Sequence, residues 1–180
     1  MHKALQILYT EHELLVDVLG FIPETDKLIS IDRLRYIYTI ESMLEFFRIY
    51  GDKYHHYKEE QVLFPAMIMK KEVLHNKALK ELIDNHDDFR DMLGNVETFL
   101  NRSDFVEASR QLHIYSANLI SHVFTENREV FQRLSGLLSQ EELDNMYLRF
   151  IKIDLDLGVE EKLRLEALVS TLMVETNLLS

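Results

Sequence analysis

The sequence predicts an all-α protein: an antiparallel up-down-up-down four-helix bundle with extra C-terminal helices. Apolar residues recur along most of the 180-residue chain with the period of a helix, about 3.6 residues. The chain has only five Gly and two Pro, which favours long helices over a fold with many turns. The first four helical patterns are long and are joined by short connections, as in a bundle of antiparallel neighbours.

Helix-breaking and capping residues bound the four bundle helices. Gly20 and Pro23 break the first pattern. Pro65 is expected to end the second helix, and Ser103 is expected to cap the fourth. The four predicted helices are about His2–Leu19, Ser30–Phe64, Asn76–Leu100 and Ser103–Leu134.

Two further helices are predicted after the bundle. Ser139 and Glu142 form a capping-box pattern at the head of the fifth helix, which ends at the stretch DLDLG. The sixth helix runs from about Val159 to Thr176. We therefore expect a bundle over residues 1–134 and a helical extension over residues 135–180. The extension is expected to pack on the bundle or on a partner subunit, and the second arrangement would make a homodimer.

Composition and charge exclude several classes of protein. A net charge of -11 argues against a nucleic-acid partner, because phosphate binding needs clustered Lys and Arg. The chain has no basic amphipathic stretch and no apolar run near the ~18 residues of a membrane span, so no membrane partner is expected. The absence of cysteine excludes disulfides, thiolate metal sites and cysteine nucleophiles. The N-terminal stretch MHKALQILYTEHELL lacks the features of a signal peptide, and a cytoplasmic location is expected.

One histidine on each bundle helix falls within or at the edge of that helix's apolar stripe, when residues are placed at about 100° intervals. These histidines are His12, His55, His86 and His122. Two glutamates one turn further on face the same way, Glu59 after His55 and Glu126 after His122. By the same count, His56 and Glu60 fall on the opposite side, towards water.

Four histidines and two glutamates inside one bundle are hard to explain as packing, because buried polar groups without partners are costly. A metal removes that difficulty. Imidazole suits Fe, Zn, Cu and Ni, while carboxylates suit harder ions and can bridge two of them. Six ligands are too many for one tetrahedral zinc. They fit two ions bridged by the carboxylates, with positions left open for a small exogenous ligand.

The ferritin-like di-iron proteins are the structural alternative. They use two Glu-x-x-His motifs and two further glutamates. The chain has one such match, Glu72 with His75, in a predicted loop. This alternative is therefore rejected.

Four motifs together resemble the hemerythrin-like family, the HHE cation-binding domains. They are EHELL around His12, HHYKEEQVLFP on the second helix, NHDDFR around His86 and HVFTENREVF around His122, in the family's order over about residues 1–134. The resemblance implies a four-helix bundle with a non-haem di-iron centre, two iron ions joined by an oxo or hydroxo bridge. It implies that the four histidines are terminal ligands and that Glu59 and Glu126 bridge the irons. Another divalent metal is the alternative occupant.

One position departs from the oxygen-carrying members of the family. They have a second histidine four residues after the one on the third helix, where this chain has Arg90. Its guanidinium cannot ligate a metal. The resulting set of four His and two Glu resembles most closely the di-iron proteins that repair damaged iron centres. Those proteins usually carry an N-terminal cysteine segment, which this chain lacks.

The leading hypothesis is a di-iron protein that binds or senses O2, NO or peroxide in stress response or iron handling. A second hypothesis is a di-iron enzyme, either a peroxidase or oxidase or an iron-centre repair protein. A third is a structural or interaction module that holds zinc or no metal. Metal analysis and tests for turnover distinguish these three.

Overall fold

The computed structural model describes residues 1–70 and 77–177. Every regular element within these ranges is a helix. The helices with a single regular conformation are α1 (Lys3–Leu19), α2 (Ile22–Ile31), α4 (Lys77–Asn101), α6 (Gln140–Leu157) and α7 (Val159–Asn177). The predicted start of the third bundle helix at Asn76, and the pair Glu72 and His75, lie outside the described residues.

Two longer helices change their winding along their length. Helix α3 comprises α-helical Arg33–Phe46, π-helical Phe47–His56 and Glu59–Leu63, and α-helical Phe64–Met69. Helix α5 comprises α-helical Phe105–Thr125, π-helical Glu126–Val130 and α-helical Phe131–Leu137. The prediction of an all-α helical bundle is confirmed.

Two apolar cores lie along the bundle, one on each side of a polar layer. The first core contains Leu15, Tyr54, Phe89 and Leu119. The second contains Leu8, Val62, Leu82 and Val130. On each bundle helix, the chain segment between these two sets carries the inward histidines and glutamates. The polar layer is therefore closed off by apolar packing at both ends.

The C-terminal helices add to both cores. Leu165, Val169 and Leu172 of α7 are buried in the first core. Leu143, Met146 and Phe150 of α6 are buried in the second. Burial of a large apolar side chain contributes about 1.5–3 kcal/mol, so the two helices add substantially to the stability of the fold.

The helix ends agree with the predictions in part. Ser139 and Glu142 form the predicted capping box at the start of α6. The predicted cap Ser103 is wrong: Ser103 has a positive φ of 57°, and the neighbouring Asp104 caps α5 by accepting a hydrogen bond from the amide of Glu107.

Both prolines begin helical segments. Pro23 lies in the first turn of α2, a helix that fills the predicted break. Pro65 was expected to end the second bundle helix at Phe64, and that is wrong, because the helix continues to Met69. Pro65 lies in the first turn of the α-helical segment after the π-turn, where a missing N–H costs little.

None of the helices in residues 1–70 and 77–177 combines the length and the apolar character that a transmembrane helix requires.

Candidate metal centre

The π-helical turns bring neighbouring residues onto the inner side of the bundle. A π-turn pairs residue i with i+5, so successive side chains are separated by less than the ~100° of an α-helix. His55 and His56 end one π-helical stretch of α3, and Glu59 begins the next. His55 is fully buried and His56 is 3% exposed. The prediction that His56 faces water is therefore wrong, because it assumed α-helical spacing.

Seven buried side chains form two groups, each with its ligand-type atoms within 4.8 Å of one another. The first group is His12, His55, Glu59 and Glu126, and the second is His56, Glu59, His86 and His122. Glu59 belongs to both groups. Glu126 also lies between them, because its Oε2 is 3.2 Å from His12 Nε2 and 3.3 Å from His122 Nε2. All six residues singled out from the sequence are therefore brought together, and His56 is added to them.

The imidazoles turn Nε2 towards the centre and Nδ1 towards an outer polar group. His12 Nδ1 is 2.8 Å from Asn127 Oδ1, and His55 Nδ1 is 3.2 Å from Glu11 Oε2. The corresponding contact of His86 is with Glu60 Oε1 at 2.9 Å, and that of His122 is with the Asn85 amide at 3.4 Å. His56 Nδ1 lies 3.6 Å from Asp52 Oδ1. Metal-binding histidines are oriented in this way, with the second ring nitrogen held by a polar group behind it.

These outer contacts form a closed ring around the bundle, which we call the bracing ring. Helix α1 provides Glu11 for His55 on α3, and α3 provides Glu60 for His86 on α4. Helix α4 provides Asn85 for His122 on α5, and α5 provides Asn127 for His12 on α1. The members of the bracing ring are Glu11, Glu60, Asn85 and Asn127, each next in sequence to a residue of the two groups. Each helix thus orients the imidazole of its neighbour.

Several buried atoms of the two groups have close polar neighbours at most, and make no well-aligned hydrogen bond to another described residue. They are His12 Nε2, His55 Nε2, both ring nitrogens of His56 and all four carboxylate oxygens of Glu59 and Glu126. A buried polar atom without a partner costs about 1–3 kcal/mol, and more when it is charged. Cations between these atoms satisfy imidazole nitrogens and carboxylate oxygens together. The residues present therefore fit a metal centre.

Burial shifts the pKa of several of these groups. Burial, followed by the nearby charge of His12, lowers the pKa of His55 to about 4. Burial and then His86 lower the pKa of His56 well below its usual range. Both rings are therefore neutral near pH 7, the form in which imidazole binds a metal. Burial and then the charge of Glu126 raise the pKa of Glu59 well above its usual range, because two buried carboxylates repel each other when no cation lies between them.

Arg90, at the position of the missing histidine, contacts three carboxylates. Its guanidinium lies 2.7 Å from oxygens of Asp52, Glu60 and Asp87. The hydrogen bond from His86 is the largest cause that lowers the pKa of Glu60, and Arg90 adds to it. Arg90 thus holds two acids that face the second group, Glu60 behind His86 and Asp52 beside His56.

The members of the bracing ring could not be identified from local sequence motifs. Each member is next to one candidate ligand in sequence but contacts the Nδ1 of a histidine on another helix. Only the packing of the helices therefore identifies it. The repeated His-His of HHYKEE was the available signal for His56, but the π-helical winding that turns it inward has no evident local signature.

The fold and the site define a helical-bundle metal-binding protein. The sequence model described as the hemerythrin HHE cation-binding domain matches residues 3–134 of the chain. The chain therefore belongs to the hemerythrin family. Comparison with curated proteins and with solved structures found no match. The closer likeness to iron-centre repair proteins stays a prediction.

Proposed function

We propose that the protein holds two iron ions in its seven-residue centre and binds a small ligand, O2, NO or peroxide, beside them. The observation that carries this proposal is the pair of ligand groups that share Glu59, with Glu126 within 3.2 Å of His12 and 3.3 Å of His122. A single ion would not use all seven side chains, whereas two ions that shared Glu59 and Glu126 would. When bound, iron supplies the ability to exchange electrons with such a ligand.

The donor set favours iron over softer metals. It combines imidazole nitrogens and carboxylate oxygens, and the chain has no cysteine thiolate to offer. The histidines divide unequally, two in the first group and three in the second. If both carboxylates were shared, an ion held by His12 and His55 would have one protein ligand fewer than an ion held by the three histidines of the second group. We therefore place the exogenous ligand on that side.

The surroundings restrict water. The ring of Phe131 stacks on the His12 ring, with 5.4 Å between the ring centroids. The ring of Phe89 lies edge-on to the His122 ring, with 5.1 Å between the centroids. The ring of Phe64 is tilted against that of His86, with 5.6 Å between the ring centroids. These rings and the two apolar cores leave a dry site, which suits a small uncharged ligand better than a large polar substrate.

The proposal is tested by loading the protein with Fe2+ without oxygen, measuring iron per chain, and recording the ultraviolet-visible spectrum before and after air. Two irons per chain and new charge-transfer bands in air support it. One zinc per chain after native purification, or no uptake of iron by the folded protein, contradicts it.

Titration with NO and with peroxide on the same sample distinguishes binding from catalysis. A spectral change that saturates at a fixed ratio of ligand to protein is expected for a binding protein. Continued consumption of peroxide or NO would instead assign the second hypothesis, a di-iron enzyme.

A further inference from the structure

A cluster of four charged side chains lies against the metal centre, on the side of His55. Lys58 is fully buried, and its Nζ is 2.6 Å from both Glu11 Oε1 and Asp154 Oδ1. Lys162 Nζ is 2.6 Å from the same oxygen of Glu11 and 2.9 Å from Asp154 Oδ2. We call Glu11, Lys58, Asp154 and Lys162 the buried ion cluster. It contains two cations and two anions and is neutral overall.

The buried ion cluster reaches the metal centre through a single carboxylate. Glu11 contacts both lysines with Oε1 and His55 Nδ1 with Oε2. One carboxylate thus lies 2.6 Å from the Nζ atoms of Lys58 and Lys162 and 3.2 Å from the outer nitrogen of His55. The charge that His55 meets at its outer nitrogen therefore depends on how strongly the lysines attract Glu11.

Two of the four members come from outside the matched family domain. Asp154 lies on α6 and Lys162 on α7, after residue 134. Their position is fixed by Tyr54 of α3, whose hydroxyl donates to the carbonyls of Leu157 and Gly158, 3.1 and 2.7 Å away. Tyr54 directly precedes His55 in the chain. The turn between α6 and α7 is thus attached to the bundle at the level of the metal centre.

Fold stability alone is a weak explanation for this cluster. Buried ion pairs are often no better for stability than apolar residues of similar volume, because removing charges from water is costly. An acceptor behind a metal-binding histidine, in contrast, changes the basicity of that imidazole and with it the properties of the metal.

We propose that Asp154 and Lys162 are positioning residues of the metal centre, which act through Glu11 on His55 and set the reduction potential and metal affinity of the first group. This inference rests on the proposed function. The positive charge of Lys162 partly neutralises the negative charge of Glu11 behind His55. Asp154 likewise partly neutralises the positive charge of Lys58. The C-terminal helices thereby place one charge of each sign beside the centre.

The proposal predicts opposite effects for the two residues. Lys162→Met removes a cation, which favours the more positive oxidised centre and lowers the reduction potential. Asp154→Asn removes an anion and raises the potential. Lys58 still holds Glu11 in both variants. The double variant Asp154→Asn/Lys162→Met restores neutrality and is expected to return close to the wild-type potential.

The experiment measures the reduction potential of the iron-loaded full chain by spectroelectrochemistry, and the affinity for Co2+ by spectroscopic titration. We expect Co2+ affinity to change by about tenfold at the first group, upwards for Lys162→Met and downwards for Asp154→Asn, in the range typical of residues behind a metal ligand. The matched controls are Lys152→Met and Asp156→Asn, which break an exposed ion pair on α6 and should leave both quantities unchanged.

The outcomes separate this inference from the proposed function. Opposite shifts with recovery in the double variant support the inference. Equal or same-sign shifts, or none beyond the controls, overturn it while the iron centre stands. Failure of the wild-type protein to bind metal overturns both. If Lys162→Met does not fold, as judged by circular dichroism, Lys162→Gln removes the charge while its amide keeps a donor for Glu11, and the same downward shift in potential is required.

Discussion

At the scale of single residues, the candidate centre depends as much on the side chains behind the imidazoles as on the imidazoles themselves. The bracing ring holds four rings by Nδ1, and Asp52 lies behind the fifth. Nε2 is then the nitrogen that faces the carboxylates. Because each contact of the bracing ring joins two different helices, the orientation of those four imidazoles depends on the packing of the neighbouring helix.

Removal of His56 is predicted to lower the metal content. His56→Gln leaves the second group with two histidines, so we expect metal per chain after dialysis to fall from two towards one. The measurement is metal analysis of the folded protein, with His113→Gln as the control. His113 is an exposed histidine paired with Asp26 and belongs to neither group. Retention of two metals by His56→Gln would show that His56 is not a ligand.

Removal of a member of the bracing ring is predicted to weaken metal binding without removing a ligand. Asn127→Ala leaves His12 Nδ1 without its acceptor, and we expect a loss of about 10–100-fold in Co2+ affinity. Asn118→Ala on the same helix is the control, because the exposed Asn118 amide donates to the carbonyl of Ile114 on its own helix and belongs to neither group. Equal affinities of the two variants in a Co2+ titration would contradict the role of Asn127.

Helical periodicity predicted which way a site residue faces when that residue lies in an α-helical segment. His12, His86 and His122 lie in α-helical segments, and their placement at about 100° per residue identified them as inward-facing. His56 lies in a π-helical segment, and the same count turned it to the wrong side. Because π-turns are rare and the count assumed α-helical spacing, periodicity alone could not turn His56 inward.

At the scale of elements, the helix ends that carry local side-chain signals were predictable and the others were not. The capping box of α6 needs only Ser139 and Glu142 in the right spacing. Helix α3 continues past Pro65 after a π-helical turn, Glu59–Leu63, and no local motif predicted that turn. The turn between α6 and α7 also needs a special backbone, because Gly158 has a φ of +107°.

Alanine substitution at two glycines is predicted to change stability in opposite directions. Gly158→Ala forces a side chain into a backbone region open mainly to glycine, and we expect a loss of about 1–3 kcal/mol. Gly94→Ala lies within α4 with open space around its added Cβ, and we expect a gain of about 0.5–1 kcal/mol. Chemical denaturation of the metal-free protein measures both. A free energy of unfolding for Gly158→Ala equal to that of the wild type would contradict the described turn.

At the scale of the whole molecule, the C-terminal helices are part of one packed structure with the bundle. Helices α6 and α7 contribute to both apolar cores and to the buried ion cluster. The sequence left open whether the extension packs on the bundle or on a partner, since the apolar faces of α6 and α7 are compatible with either. The structure describes packing on the bundle of the same chain.

Truncation of a single buried side chain on α6 tests this packing. Phe150 is fully buried, and Phe150→Ala is predicted to lower the free energy of unfolding by about 3–5 kcal/mol. Leu148, two residues earlier on the same helix, is 63% exposed, and Leu148→Ala should change it by less than about 0.5 kcal/mol. Similar small effects at both positions would mean that α6 does not cover the bundle in solution.

The most direct test of the two-metal centre is a crystal structure of the iron-loaded protein with anomalous data collected on both sides of the iron absorption edge. We predict two iron peaks per chain, one beside His12 and His55 and the other beside His56, His86 and His122, with Glu59 and Glu126 between them. A single peak, a metal bound elsewhere, or His56 turned away from a bound iron would contradict the account.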